Sequence, residues 1–515
     1  MRSSRTSSGR RERRTAKGPD AGFDVRPGIA EPRPVMPQIG KLSYIHFRPA
    51  RFAFFSQPAI FGFVSQRNPY PMKYLFSLLA APAGLALAVQ GQELPRSWID
   101  PDTGHRVVQL STEPNSNSLY FTQYAYTDGG TRLIMTTRHG VDLVTVSTGA
   151  IEHVLEGNSG RVFQAGRKTG KIFLTKDGYV CSLDPDTKVL TQLAKLPEGG
   201  SVVTVNSDET LAAGSISDAV PQPSGGRRAQ PPAEQNPPPP PGGYRPGFPQ
   251  PGHDDYPGKL DMMIRGQARH AVSTIFTINL QTGEVKRLYR TTEWVNHFQF
   301  SPTDPTLMSF AHEGPWWLVD RVWLMHVDRD APPMLVHQRT MKMEIANHEY
   351  WSADGKWLCY DCETPMNEVF WVASYNVYTG ERVWYHLTLD QWSIHYNRSP
   401  DGTLYSGDGG EPGHLGPQPP HSKWIYLFHP QMVPELRIPS AQAAEAAEAG
   451  PNGLIKVGYF ETEKLVNLAN HSYSLEPNGN FTPDGKWIVF RSNMRGPIQV
   501  YAVEVAKANQ PASTP

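Results

Sequence analysis

Polar side chains recur at a nearly fixed distance ahead of one kind of turn. His348 and His395 each stand six residues before an aspartate (Asp354, Asp401), Asn478 stands six before Asp484, and His297 seven before Asp304. Each aspartate sits in a short turn, SADGKW, SPDGTL, TPDGKW or SPTDPT, followed by a β-rich run. Equal offsets in successive repeats place these side chains at comparable depth around one axis. Imidazole titrates near neutral pH, so a ring of histidines suits proton abstraction or donation. The alternative is that register-equivalent polar residues tie neighbouring repeats together by hydrogen bonds. His312, in FAHEGP, and Glu476, in SLEPNGN, fall in the same stretches and join the candidates.

The elements that must position these residues form a repeat. Seven turns, at Asp128, Gly170, Asp208, Asp304, Asp354, Asp401 and Asp484, recur with clean spacings of 38 to 50 residues. That is the length of a four-stranded propeller blade. Asp-Gly supplies the positive φ of a tight hairpin, and the β-branched and aromatic residues after it read as strand. Runs such as STGAIEHVLEG and QTGEVKRLYR supply the outer halves of blades. The fold class expected is all-β, a seven-bladed β-propeller. Closing the ring leaves no long exposed sheet edge. Two gaps exceed the period. A Pro-rich insertion occupies about residues 219–258, and a Gly/Pro loop with the Ala-rich stretch SAQAAEAAEAG separates Asp401 from Asp484.

The 515 residues are 39% apolar and 19% charged, with 48 Pro and 45 Gly, which fits a turn-rich β protein better than a helical one. Net charge is zero only as a sum of unlike parts. Residues 1–71 hold 13 Lys/Arg against 4 Asp/Glu, whereas 92–515 hold 35 against 45, a net −10. The Arg- and Ser-rich stretch 1–71 reads as a disordered basic leader, with translation expected to start at Met72. Residues 72–91, MKYLFSLLAAPAGLALAVQG, read as a signal peptide, so a periplasmic or secreted protein is expected, with 92–515 as its propeller domain. No run is long enough for stable membrane insertion. No aromatic-basic module supports nucleic-acid binding. Cys359 and Cys362 form C-x-x-C, but on a strand these positions face opposite sides, which argues against a redox pair.

The segments FAHEGPWWLVDRVW, ANHEYWSADGKW, SIHYNRSPDGTLYSGDGG and NGNFTPDGKWIVFRSNMRGPIQVYAVEV, with the early DPDTGHRVVQL, resemble the oligogalacturonate lyases over about Trp98 to Val505. The resemblance implies a seven-bladed propeller that cleaves pectic uronate oligosaccharides by β-elimination to 4,5-unsaturated products. By family position the base matches His348, and the arginine that holds the substrate carboxylate matches Arg321. His312 and His297 are expected to contact substrate, as is Tyr473.

The family binds a divalent metal, usually manganese, and the matching positions here are His395, Glu476 and Asn478. Tyr473 stands at a glutamine position, while Glu476 and Asn478 stand at histidine positions. Such a set favours harder ions, Mn²⁺ or Ca²⁺. Competing readings are a TolB-like exported propeller that binds protein or glycan without catalysis, and a glycoside hydrolase relying on Glu476.

Overall fold

The computed structural model describes residues 96–218, 259–410, 423–434, 441–442, 445 and 450–508. The leader, the expected signal peptide and the Pro-rich insertion at 219–258 lie outside them, as does most of the Ala-rich stretch. The described residues form seven antiparallel blades. Blade 1 spans Asn117 to Glu156, blade 2 Arg161 to Lys195, and blade 3 Gly200 to Thr291. Blade 4 spans Trp294 to Leu335, blade 5 Ile345 to Leu387, and blade 6 Tyr396 to Asn467. Blade 7 joins Asn480–Phe481, Trp487–Ser492 and Gln499–Lys507 to two strands from the other end of the chain, His105–Gln109 and Ser97–Ile99. His105–Gln109 pairs antiparallel with Gln499–Lys507 and closes the ring. His105, fully buried, reinforces the seam through the Glu504 carbonyl at 2.9 Å and the Glu463 carboxylate at 3.2 Å.

Local chemistry explains the repeated turn. Asp354 Oδ1 accepts from Ser352 Oγ at 2.6 Å and from Lys356 N at 3.1 Å, while Gly355 takes φ +68°. Asp401 and Asp484 repeat this with Ser399 and Thr482. A side chain at Gly355 would be strained twice, by its φ and by a clash of its Cβ with Thr303 Oγ1. The strand Trp357–Glu363 separates the two cysteines as alternation requires. Cys359 packs in the core shared by blades 5 to 7, and Cys362 in the one between blades 4 and 5.

Two features depart from the sequence reading. A helix, Lys259–Ala268, follows the Pro-rich insertion, and its Met263 packs against Trp316, Trp317, Ile345 and Met366. Blades 5 and 6 also share one eight-stranded sheet. In it, Arg382–His386 pairs in parallel with Ile455–Tyr459, the first residues of a thirteen-residue strand.

Candidate active site

The innermost strands of blades 4 and 5 each carry a bulge that aims an imidazole at the axis. Pairing slips between Asn296 and Gln299 in blade 4, and between Asn347 and Tyr350 in blade 5. Within these bulges His297 takes φ +52° and His348 φ +46°, and Asn478, at the equivalent point before blade 7, takes φ +56°. A residue with a Cβ pays about 1–3 kcal/mol to sit there, and such positions persist where surrounding structure over-determines them. In blade 2 the register-equivalent residue is Gln164. It does what the blander reading expects, bonding Val205 O at 2.9 Å and Thr204 Oγ1 at 3.0 Å across to blade 3.

The histidines have acidic partners instead. His348 Nδ1 lies 3.0 Å from Asp361 Oδ1. Burial pushes the Asp361 carboxyl up to about 7, although Arg321 and His395 pull it down. His395, fully buried, bonds Asp408 twice, through its backbone N at 2.8 Å and through Nδ1 at 2.7 Å. The His348 and His395 rings meet edge to face with centroids 4.9 Å apart. Phe121 lies against His395 at 4.4 Å, and Tyr120 Oη stands 3.5 Å from His395 Nε2. Burial and the neighbouring Glu476 carboxylate hold the Tyr120 hydroxyl well above its ordinary pKa, so it stays protonated.

Arg321, only 3% exposed, is enclosed by carboxylates. Its Nε donates to Glu349 Oε1 at 2.6 Å and its Nη1 to Glu313 Oε2 at 3.0 Å. Burial works against its charge, but Glu313 and Glu349 more than offset this and hold the guanidinium above its usual value. Glu313 Oε1 also reaches His297 Nε2 at 2.7 Å. Imidazole, carboxylate, guanidinium and carboxylate thus form one chain along blades 4 and 5.

These groups face a cavity of about 620 Å³. Of the residues expected from sequence, His297, His348, Arg321 and Glu476 line it, and His395 lies directly behind Tyr120 and Phe121. Two expectations need correction. His312 points away from the cavity because it alternates with Glu313 on one strand. It packs on Trp323 at 4.7 Å, where burial lowers its pKa to about 4 and its Nε2 finds no partner. Tyr473 is buried and donates to the Asp408 carbonyl at 2.9 Å, so it supports the Asp408 segment and does not line the cavity. Sequence reasoning missed Asp361, Asp408, Glu313, Glu349 and Tyr120. One signal was available, since Asp361 and Asp408 each follow their histidine by thirteen residues.

Residues 268–414, which contain His297, His312, Arg321, His348 and His395, match the family model described as oligogalacturonate lyase. Over this stretch the chain is similar to the oligogalacturonate lyases. Curated relatives include the oligogalacturonide lyase of Pectobacterium atrosepticum, 26% identical over 237 residues, and the oligogalacturonate lyase of Dickeya dadantii, 26% identical over 247. Each match covers 45% of this chain and 55% of the relative, so the chain spans about half the length of the curated relatives it matches. Among solved structures, an oligogalacturonate lyase in complex with manganese superposes with TM-score 0.60 at 20% identity, over 80% of this chain and 96% of the other. The oligogalacturonate lyase of Vibrio parahaemolyticus gives 0.58 at 18% identity, over 80% and 97%. These likenesses agree with the propeller described above.

Within this propeller, the metal positions expected from sequence are only partly assembled. His395, its Nδ1 held by Asp408, has the outer partner typical of a metal-ligating imidazole, and its Nε2 faces Glu476 Oε2 at 3.8 Å. This pair fits a divalent ion. Asn478 does not join it, because with its amide oxygen turned toward Arg491 it accepts from Nε and Nη2, each at 3.0 Å. A separate group, His337, Glu344 and Cys362, brings ligand atoms within 4.8 Å of one another in the core. Its imidazole is already held by Tyr360 Oη at 3.2 Å and Glu344 at 3.0 Å.

Proposed function

We propose that the protein is a lyase that cleaves uronate oligosaccharides of the pectic type by β-elimination. The observation that carries this reading is the His348–Asp361 dyad, set on a strained bulge and facing a cavity lined by arginines and aromatic rings. With Nδ1–H donating to Asp361, His348 Nε2 holds a lone pair and takes the C5 proton of the uronate. The C–H electrons form the C4=C5 double bond, and the C4–O bond breaks. Tyr120, kept protonated, donates to the departing oxygen. During this step charge spreads onto the substrate carboxylate and must be met by a cation.

His395 and Glu476 would hold a divalent ion, and manganese is the ion named for the similar structure. When bound, it supplies positive charge to the developing carboxylate enolate. Arg321 is already paired with two glutamates, so in this reading it positions Glu313 and Glu349 and is not the first receiver of the substrate carboxylate. The signal peptide read at 72–91 supports action outside the cytoplasm. No described helix is long and apolar enough to cross a membrane.

Incubation with a panel of oligogalacturonates and other uronides, followed by ultraviolet absorbance of the unsaturated product, tests the reading. Rising absorbance is expected with at least one uronide. No rise with any of them refutes the proposal.

A further inference from the structure

The charge inside the cavity is opposite to the charge of the domain around it. Residues 92–515 carry a net −10, yet the cavity is lined by four arginines, Arg161, Arg167, Arg321 and Arg398, against two carboxylates, Glu313 and Glu476. Two of the four are spent. Arg321 is enclosed by Glu313 and Glu349, and Arg398 donates twice to the Gly402 carbonyl and lies over Tyr405. The other two are exposed, and among the described residues neither pairs with a carboxylate. Arg167 rests its guanidinium over the Tyr124 ring at 4.0 Å, which fixes its direction. Arg161 opens the innermost strand of blade 2, Arg161–Ala165, and Arg167 follows its end. Six residues of chain place their Cα atoms at most about 20 Å apart.

We propose that Arg161 and Arg167, at the start and just beyond the end of this inner strand, are two carboxylate-receiving subsites that select an oligosaccharide carrying several uronate charges. This rests on the lyase reading and deepens it by naming what the cavity recognises. The guanidinium fork matches a planar carboxylate bidentately, and a pair so bound is worth more than a neutral hydrogen bond. An acidic domain gives a polyanion no long-range attraction, so local cations must hold it. Tyr124, beneath Arg167, and Phe121, elsewhere in the cavity lining, offer apolar contact to the sugar faces.

The test is calorimetric titration of the full chain bearing His348→Ala, which binds without turnover, with trigalacturonate and with its methyl ester. Tighter binding of the acid than of the ester is expected. Arg161→Ala or Arg167→Ala, each added to that chain, should weaken binding of the acid about ten- to hundred-fold and leave the ester nearly unchanged. Arg161→Lys should recover part of the loss. Equal affinity for acid and ester, no binding of either, or no loss in both alanine variants overturns the assignment. Charge-selective binding by this chain, with no unsaturated product from the chain that retains His348, supports the subsites and refutes the lyase reading.

Discussion

Asp361→Asn separates the two consequences of burying a carboxyl beside the proposed base. In the unfolded chain this group ionises near its ordinary 3.8, whereas in the fold burial delays ionisation to about 7. Folding therefore takes up a proton between these values, and stability falls as pH rises through that interval and levels off above it. At about 1.4 kcal/mol per pH unit, the penalty reaches at most about 4 kcal/mol, of which about 3 develops between pH 5 and pH 8. Asparagine carries no such penalty. Urea denaturation of both proteins at about pH 5 and about pH 8 should show the variant gaining on the parent by up to this amount. Activity should move the other way. The asparagine amide can donate to His348 Nδ1, which places the proton on Nε2 and removes the base, so kcat should fall by about 10²–10⁴. In the parent, kcat/KM should rise with pH through about 7 as Asp361 ionises. A stability difference that does not change with pH, or a variant that keeps its activity, would refute the reasoning.

Four further outcomes are expected. His348→Ala should abolish unsaturated product without moving the midpoint of thermal unfolding by more than a few degrees. Arg321→Ala removes the guanidinium that Glu313 and Glu349 share in the interior, so it should cost about 3–5 kcal/mol of stability, read by denaturant titration. Tyr120→Phe should lower kcat more than it raises KM, since the hydroxyl is asked to act only as the C4–O bond breaks. Treatment with a chelator should lower activity, and Mn²⁺ should restore it in the parent but not in His395→Ala. An unaffected rate in the chelated parent would count against an ion at His395 and Glu476.

The ring and its histidines were legible because both follow from period. Turns recurring every 38 to 50 residues, outside two longer gaps, mark the blades, and an offset of six or seven residues before four of the turn aspartates marks side chains that reach the axis. The same offset could not tell a hydrogen-bonded tie from a reactive group. Gln164 and His348 occupy equivalent positions, and their difference lies in what stands on the next strand. His312 misled because the motif around it is specific, while strand alternation gives the cavity to its neighbour Glu313. Arg321 was found, but its two glutamates were not, since Glu349 comes from another blade. The helix Lys259–Ala268 went unread because it follows a Pro-rich stretch that breaks the period.

The parallel pairing of Arg382–His386 with Ile455–Tyr459 bears on how the two imidazoles keep their spacing. Neighbouring blades in such a ring are generally held by side-chain packing and can slip by small amounts as the ring breathes. Blade 5 carries His348 and Asp361, and blade 6 carries His395 and Asp408, and here main-chain hydrogen bonds join these two blades into one sheet. Slow-exchanging amides should span blades 5 and 6 as a single protected block, with the 4.9 Å ring separation preserved while the cavity walls on the opposite side open and close around a substrate.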